Sequence, residues 1–117
     1  LGHITYPFRY ARKHGYSIDI DSYMYVTELV LKEVISQGKG IEANTSGLRG
    51  ELKETMPPSY VLKKYRDLGG EIITVGSDAH FPEHVGYGCE QTTKMLNDIG
   101  FKYITTFEKR KPIQIKL

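Results

Sequence analysis

Glu71-Ile72-Ile73-Thr74-Val75-Gly76-Ser77-Asp78-Ala79-His80 is the stretch on which the reading of this chain turns. Ile72, Ile73 and Val75 form a short apolar, β-branched run, as expected of a central parallel strand. The run passes directly into Asp78-x-His80. In α/β folds functional groups collect where strands end and loops begin. Residues two apart in an extended segment point the same way, so the Asp78 carboxylate and the His80 imidazole are expected to share a pocket. Both are good ligands for zinc, iron or manganese. Short motifs also arise by chance: Asp78 could serve as a turn or N-cap residue, and His80 could face solvent from a loop.

Outward from this strand, helices and strands alternate. Upstream, Pro57 and Pro58 open a helix whose buried stripe is Val61, Leu62, Tyr65 and Leu68, stopped by Gly69-Gly70. Ile41-Glu42-Ala43-Asn44 reads as a short strand, followed by the loop Ser46–Met56. Asp21 or Ser22 caps a helix running to about Gln37, with Val26, Leu29, Val30 and Val34 on its apolar face. Pro7–Tyr16 fits a short helix or a loop. Leu1–Thr5 reads as a strand ending near Pro7. Downstream, Ser77–Gly88 is a loop, Glu90–Ile99 a helix ended by Gly100, and Phe101–Phe107 with Pro112–Leu117 a terminal hairpin turning at Glu108–Lys111. Such alternation predicts an α/β fold with a parallel sheet. Only about three parallel strands are present, whereas a closed barrel takes about eight over ~250 residues. The chain is therefore a small open sheet or the last part of a barrel. It opens at Leu1, inside an expected strand, so the natural protein is expected to continue upstream.

Composition narrows the function classes. The 117 residues suffice for one domain with a core. A net charge of +2, from 16 basic and 14 acidic residues, argues against nucleic-acid or membrane-surface partners. The nine tyrosines are scattered, without a basic-aromatic stripe. A single cysteine, Cys89, excludes an internal disulfide and suggests a cytoplasmic setting. No apolar run approaches the ~18 residues of a membrane span. Phosphate-binding glycine loops, dinucleotide fingerprints and nucleophile elbows are all missing. Arg9 and Arg49 are candidates for bidentate phosphate binding, and Ser46 and Ser77 for hydrogen-bond donation, although each also suits an ordinary surface or turn role. His3 is a ligand candidate on the first strand. His14 and His84 lie in polar loops and read as surface residues.

The runs Ile41-Glu42-Ala43-Asn44-Thr45-Ser46-Gly47-Leu48-Arg49 and Leu68–His80 add a more specific signal. The first resembles the E-I-N-T-S-G-L-R segment of histidinol phosphatases of the polymerase-and-histidinol-phosphatase (PHP) superfamily. The second resembles that family's last metal-binding motif, and Leu1-Gly2-His3 its Gly-His strand. The resemblance spans essentially the whole chain in order. It implies the C-terminal portion of a distorted (β/α)7 TIM-like barrel, residues 1–117 forming a single partial domain with a terminal β-hairpin. It implies divalent metal ions (zinc, manganese or iron, up to three in the intact enzyme) and hydrolysis of L-histidinol phosphate in histidine biosynthesis. Carried over by position, His3, Asp78 and His80 become metal ligands, with Asp78 and His80 catalytic. Arg9, Ser46 and Arg49 become substrate contacts, and Glu42 and Asn44 pocket or ligand-orienting residues. The family's opening His-x-His and its middle ligands have no counterpart here. Three ligands fall short of the roughly four each zinc site needs, so the chain alone is expected to be nearly inactive, with open strand edges that invite association with another chain. Hydrolysis of another phosphate ester, or a purely structural module, are the competing readings.

Overall fold

The computed structural model describes residues 1–117. Its elements are α1 (Tyr6–Lys13), α2 (Met24–Ser36), β1 (Ile41–Asn44), α3 (Ser59–Asp67), β2 (Ile73–Gly76), α4 (Cys89–Ile99), β3 (Tyr103–Glu108) and β4 (Lys111–Lys116). β1 and β2 pair in parallel, with Ile41 opposite Ile73 and Asn44 opposite Gly76. The alternation of a strand then sorts the side chains. Ile41, Ala43, Ile73 and Val75 fall on one face, and Glu42, Asn44, Thr74 and Gly76 on the other. The first set joins Leu31, Val61, Leu62, Tyr65, Leu96 and Phe101 in the core, so the helices cover that face. The second set is left for chemistry.

Leu1–Thr5 does not form the expected strand. Only Leu1 joins the ladder, its N–H donating to Gly40 O at 2.7 Å and its carbonyl accepting from Glu42 N at 3.0 Å. This is parallel pairing along the free edge of β1. It ends two residues later because His3 adopts a φ of 26°, and a turn closes from Tyr6 N to His3 O at 2.8 Å. Pro7 then occupies the first turn of α1, where no donor is needed.

The second helix also begins differently. Asp19, not Asp21 or Ser22, is the cap: it accepts from Asp21 N at 3.0 Å and from the Ser22 hydroxyl at 3.2 Å, opening a 3₁₀ turn over Ile20–Tyr23 that runs into α2. Its expected apolar face is mostly uncovered. Val26, Leu29 and Val30 are exposed, and the buried residue is Leu31. Periodicity identifies residues that share a face but not what lies against it. β2, expected to be central, pairs only with β1. No helix is long and apolar enough to cross a membrane.

β3 and β4 form the expected hairpin, in register from Tyr103–Lys116 to Glu108–Lys111. Its two-residue turn, Lys109-Arg110, has φ of 49° and 67°. Both central residues thus sit in the left-handed region, as a type I′ turn requires, and neither is Asn or Gly. The double substitution Lys109→Asn, Arg110→Gly should stabilise the chain by about 1 kcal/mol, since a left-handed residue with a Cβ carries a penalty of that order. Urea unfolding will read this as a higher midpoint at unchanged slope.

Candidate functional site at the strand ends

The polar groups converge where β1 and β2 end. Asn44, buried at the end of β1, accepts from Ser46 N at 2.9 Å through Oδ1 and so caps the 3₁₀ turn Thr45–Arg49. Its Nδ2 donates to Glu42 Oε2 at 3.3 Å. The turn buries Ser46 and aims its hydroxyl at Asp78 Oδ2, 3.5 Å away. The other carboxylate oxygen of Asp78 lies 3.4 Å from His80 Nε2. Asp78 has a φ of 47°. A non-glycine residue in that region is held by its surroundings, and Arg49 supplies the hold. Its two terminal nitrogens donate to the carbonyls of Ser77 (2.8 Å) and Asp78 (3.1 Å). The Tyr87 ring lies beneath the guanidinium at 5.8 Å. Thr45 Oγ1 donates to Tyr87 O at 2.5 Å, and Gly86 N donates to Ser77 Oγ at 3.2 Å, fastening the following loop.

His3 reaches the same face from the chain's beginning. Its N–H donates to Glu42 Oε2 at 3.1 Å, its ring packs 4.7 Å from Tyr6, and its Nδ1 is buried with no partner. Arg9 lies on α1 and makes no ion pair, with its Nε close to the position a Cβ on Gly50 would take. The Tyr6 phenol has its pKa raised, first by its hydrogen bond with Tyr10. The two phenol oxygens lie 3.1 Å apart.

Each sequence-derived candidate thus lies at this end of the sheet, but two arrangements differ from expectation. His3, Asp78 and His80 do not close into one set: no group of three or more His, Cys, Asp or Glu side chains is placed to hold an ion. The His80 side chain is 79% exposed and turns outward. Arg49, expected to contact substrate, spends two of its donors on the main chain. Tyr6 and Tyr87 were not anticipated. Tyr6 stands three residues after His3, a spacing that could have suggested stacking, whereas nothing local marks Tyr87. His14 is exposed, and His84 packs edge-on against Phe81 at 5.7 Å.

The donor chemistry suits a divalent cation in part. An unpartnered buried imidazole nitrogen, a carboxylate and a second imidazole are ligand types zinc accepts, but they are too few to surround it.

The chain is thus a parallel α/β unit with a carboxylate and two imidazoles near its strand ends, beside Arg49 and, on α1, Arg9. No family model matches the chain. Over all 117 residues it is 33% identical to a probable histidinol-phosphatase of Thermotoga maritima, spanning 47% of that protein. It is 36% identical over 111 residues to a probable histidinol-phosphatase of Clostridium acetobutylicum, covering 94% of this chain and 42% of that one. The chain is thus homologous to the C-terminal part of proteins named histidinol-phosphatase, and spans about half the length of those it matches. It also shares its fold with a crystal structure of histidinol phosphate phosphatase from Lactococcus lactis, complexed with zinc, L-histidinol and phosphate. That likeness has a TM-score of 0.67 at 24% identity, over 83% of this chain and 36% of the other.

Proposed function

We propose that this chain is the C-terminal part of a (β/α)7 barrel of the PHP type and contributes to a metal-dependent phosphatase that converts L-histidinol phosphate and water to L-histidinol and phosphate. The observation that carries this reading is the match to histidinol-phosphatases across the entire chain, with the Asp78–His80 pair at a strand end. The solved relative with zinc, L-histidinol and phosphate supports the same substrate class.

In this reading His3, Asp78 and His80 hold divalent metal together with residues outside the chain. Such an ion would supply Lewis acidity and lower the pKa of a water it binds. Arg9 and the donors of Arg49 not bound to the main chain bind phosphate oxygens, and a guanidinium fork matches two of them at once. Ser46 keeps Asp78 oriented, and Asn44 keeps the turn that carries Ser46. The oxygen of water bonds to phosphorus as the phosphorus–oxygen ester bond breaks. The attacking water gives up a proton and the leaving alkoxide takes one up to become the alcohol, so no proton is gained or lost overall; the Asp78–His80 pair is the nearest group to carry it, less freely while it holds the ion.

Phosphate release by the full-length gene product, compared across several phosphomonoesters, tests the substrate. L-Histidinol phosphate should be preferred, and a flat profile would sink that assignment. The 117-residue chain alone should bind zinc weakly and release little phosphate, as its incomplete ligand set implies. Titrating zinc into both proteins side by side checks this.

A further inference from the structure

Glu42 lies on the chemical face of β1, facing away from the core. Its carboxylate has two protein donors and no cation. Oε2 accepts the His3 main-chain N–H at 3.1 Å and the Asn44 amide at 3.3 Å. No lysine, arginine or histidine pairs with it. The backbone on either side makes room for it. A Cβ added at Gly76, on β2, would sit 2.5 Å from Oε1, and one at Gly2 would sit 3.3 Å from Oε2. The carboxylate therefore lies in a cradle between two glycines, one from each segment that flanks β1. What it grips is the backbone of His3, the residue whose φ of 26° turns the chain out of the sheet and whose buried Nδ1 has no partner.

We propose that Glu42 is a positioning residue for His3. It fixes that residue's unusual backbone through the N–H, and thereby aims the imidazole. Gly76 is glycine because a side chain there would displace the carboxylate. The work is done by an acceptor at the right place, not by negative charge. A glutamine, which keeps the volume and a carbonyl oxygen acceptor, therefore suffices, and an alanine does not. This rests on the reading of His3 as a metal ligand, and deepens it.

The rival role for Glu42 is recognition of a substrate cation, because it also borders an open cleft of about 430 Å³ beside Leu1, Gly2 and Thr74. The full-length protein separates the two, using Glu42→Gln, Glu42→Ala and Gly76→Ala. The first readout needs no metal and no substrate: amide hydrogen exchange at His3. Glu42→Ala and Gly76→Ala should speed it on the order of 10-fold, while Glu42→Gln leaves it near the wild-type rate. The second readout is zinc affinity, which should fall on the order of 10-fold in the first two variants and be kept in Glu42→Gln, as for other groups that orient a ligand from behind. Thermal unfolding confirms that each variant is folded. Gly76→Ala should be, because its methyl meets only the far end of a flexible side chain.

Unchanged His3 exchange in Glu42→Ala would overturn the proposal. So would a glutamine variant as impaired as alanine, which would mean the charge itself matters. A raised KM in Glu42→Gln for L-histidinol phosphate, but not for an uncharged-alcohol phosphate, would assign Glu42 to the substrate instead. If the wild-type protein takes up no zinc, the metal reading fails, while the exchange data still decide whether Glu42 holds His3.

Discussion

Replacing Asp78 with alanine should, on the proposed phosphatase function, lower phosphate release by the full-length protein at least about 100-fold. Groups that merely orient a metal ligand already cost up to that factor, and Asp78 stands at the centre of the site. One of its oxygens faces His80 Nε2 at 3.4 Å and the other the Ser46 hydroxyl at 3.5 Å. The substitution removes the partner of both and a candidate ligand as well. It leaves the Arg49 clamp intact, since the guanidinium binds main-chain carbonyls of residues 77 and 78. Stability should therefore change little while kcat/KM collapses, and the two are measured separately by steady-state assay and thermal unfolding. Activity equal to wild type would remove Asp78 from the mechanism.

The largest stability effect is expected in the core. Tyr65 is fully buried, stacks on Phe101 with ring centroids 6.4 Å apart, and donates its hydroxyl to Ile72 O at 3.1 Å. That carbonyl also accepts the N–H of Ile41, so the phenol is tied to the point where β1 and β2 first pair. Burial pushes its pKa up and keeps it a neutral donor. Gly70 is the neighbour that makes the space: a Cβ there would lie 2.3 Å from the ring. Tyr65→Ala should cost about 3–5 kcal/mol, the range for emptying a large aromatic site. Tyr65→Phe, losing one hydrogen bond, should cost about 1 kcal/mol. Denaturant unfolding of the three proteins resolves these values. Near-equal costs for the two variants would show that the hydroxyl, not the ring, dominates.

Local signals in the sequence were reliable where the partner of a residue lies close along the chain. The β2 run, the α3 stripe of Val61, Leu62 and Tyr65, the stop at Gly100 and the terminal hairpin were all legible in outline. They depend on apolar periodicity and turn chemistry. Partners far away along the chain were not legible. Leu1 pairs as a strand for one residue only, because His3 reverses the backbone. Nothing in Val26, Leu29 and Val30 distinguishes a covered face from a bare one, and the structure leaves them exposed. The candidate residues were named by type and by family pattern. The Arg49 fork on two carbonyls and the grip of Glu42 on His3 involve backbone atoms 28, 29 and 39 residues away, which no side-chain motif encodes.

Those separations carry a consequence. The contact of Ser46 with Asp78 closes a span of 32 residues, and that of His3 with Glu42 one of 39. These contacts therefore exist only in the folded chain. A phosphate analogue that binds these strand-end groups should raise the unfolding temperature of the full-length protein with its concentration, making thermal shift a sensor of an intact constellation.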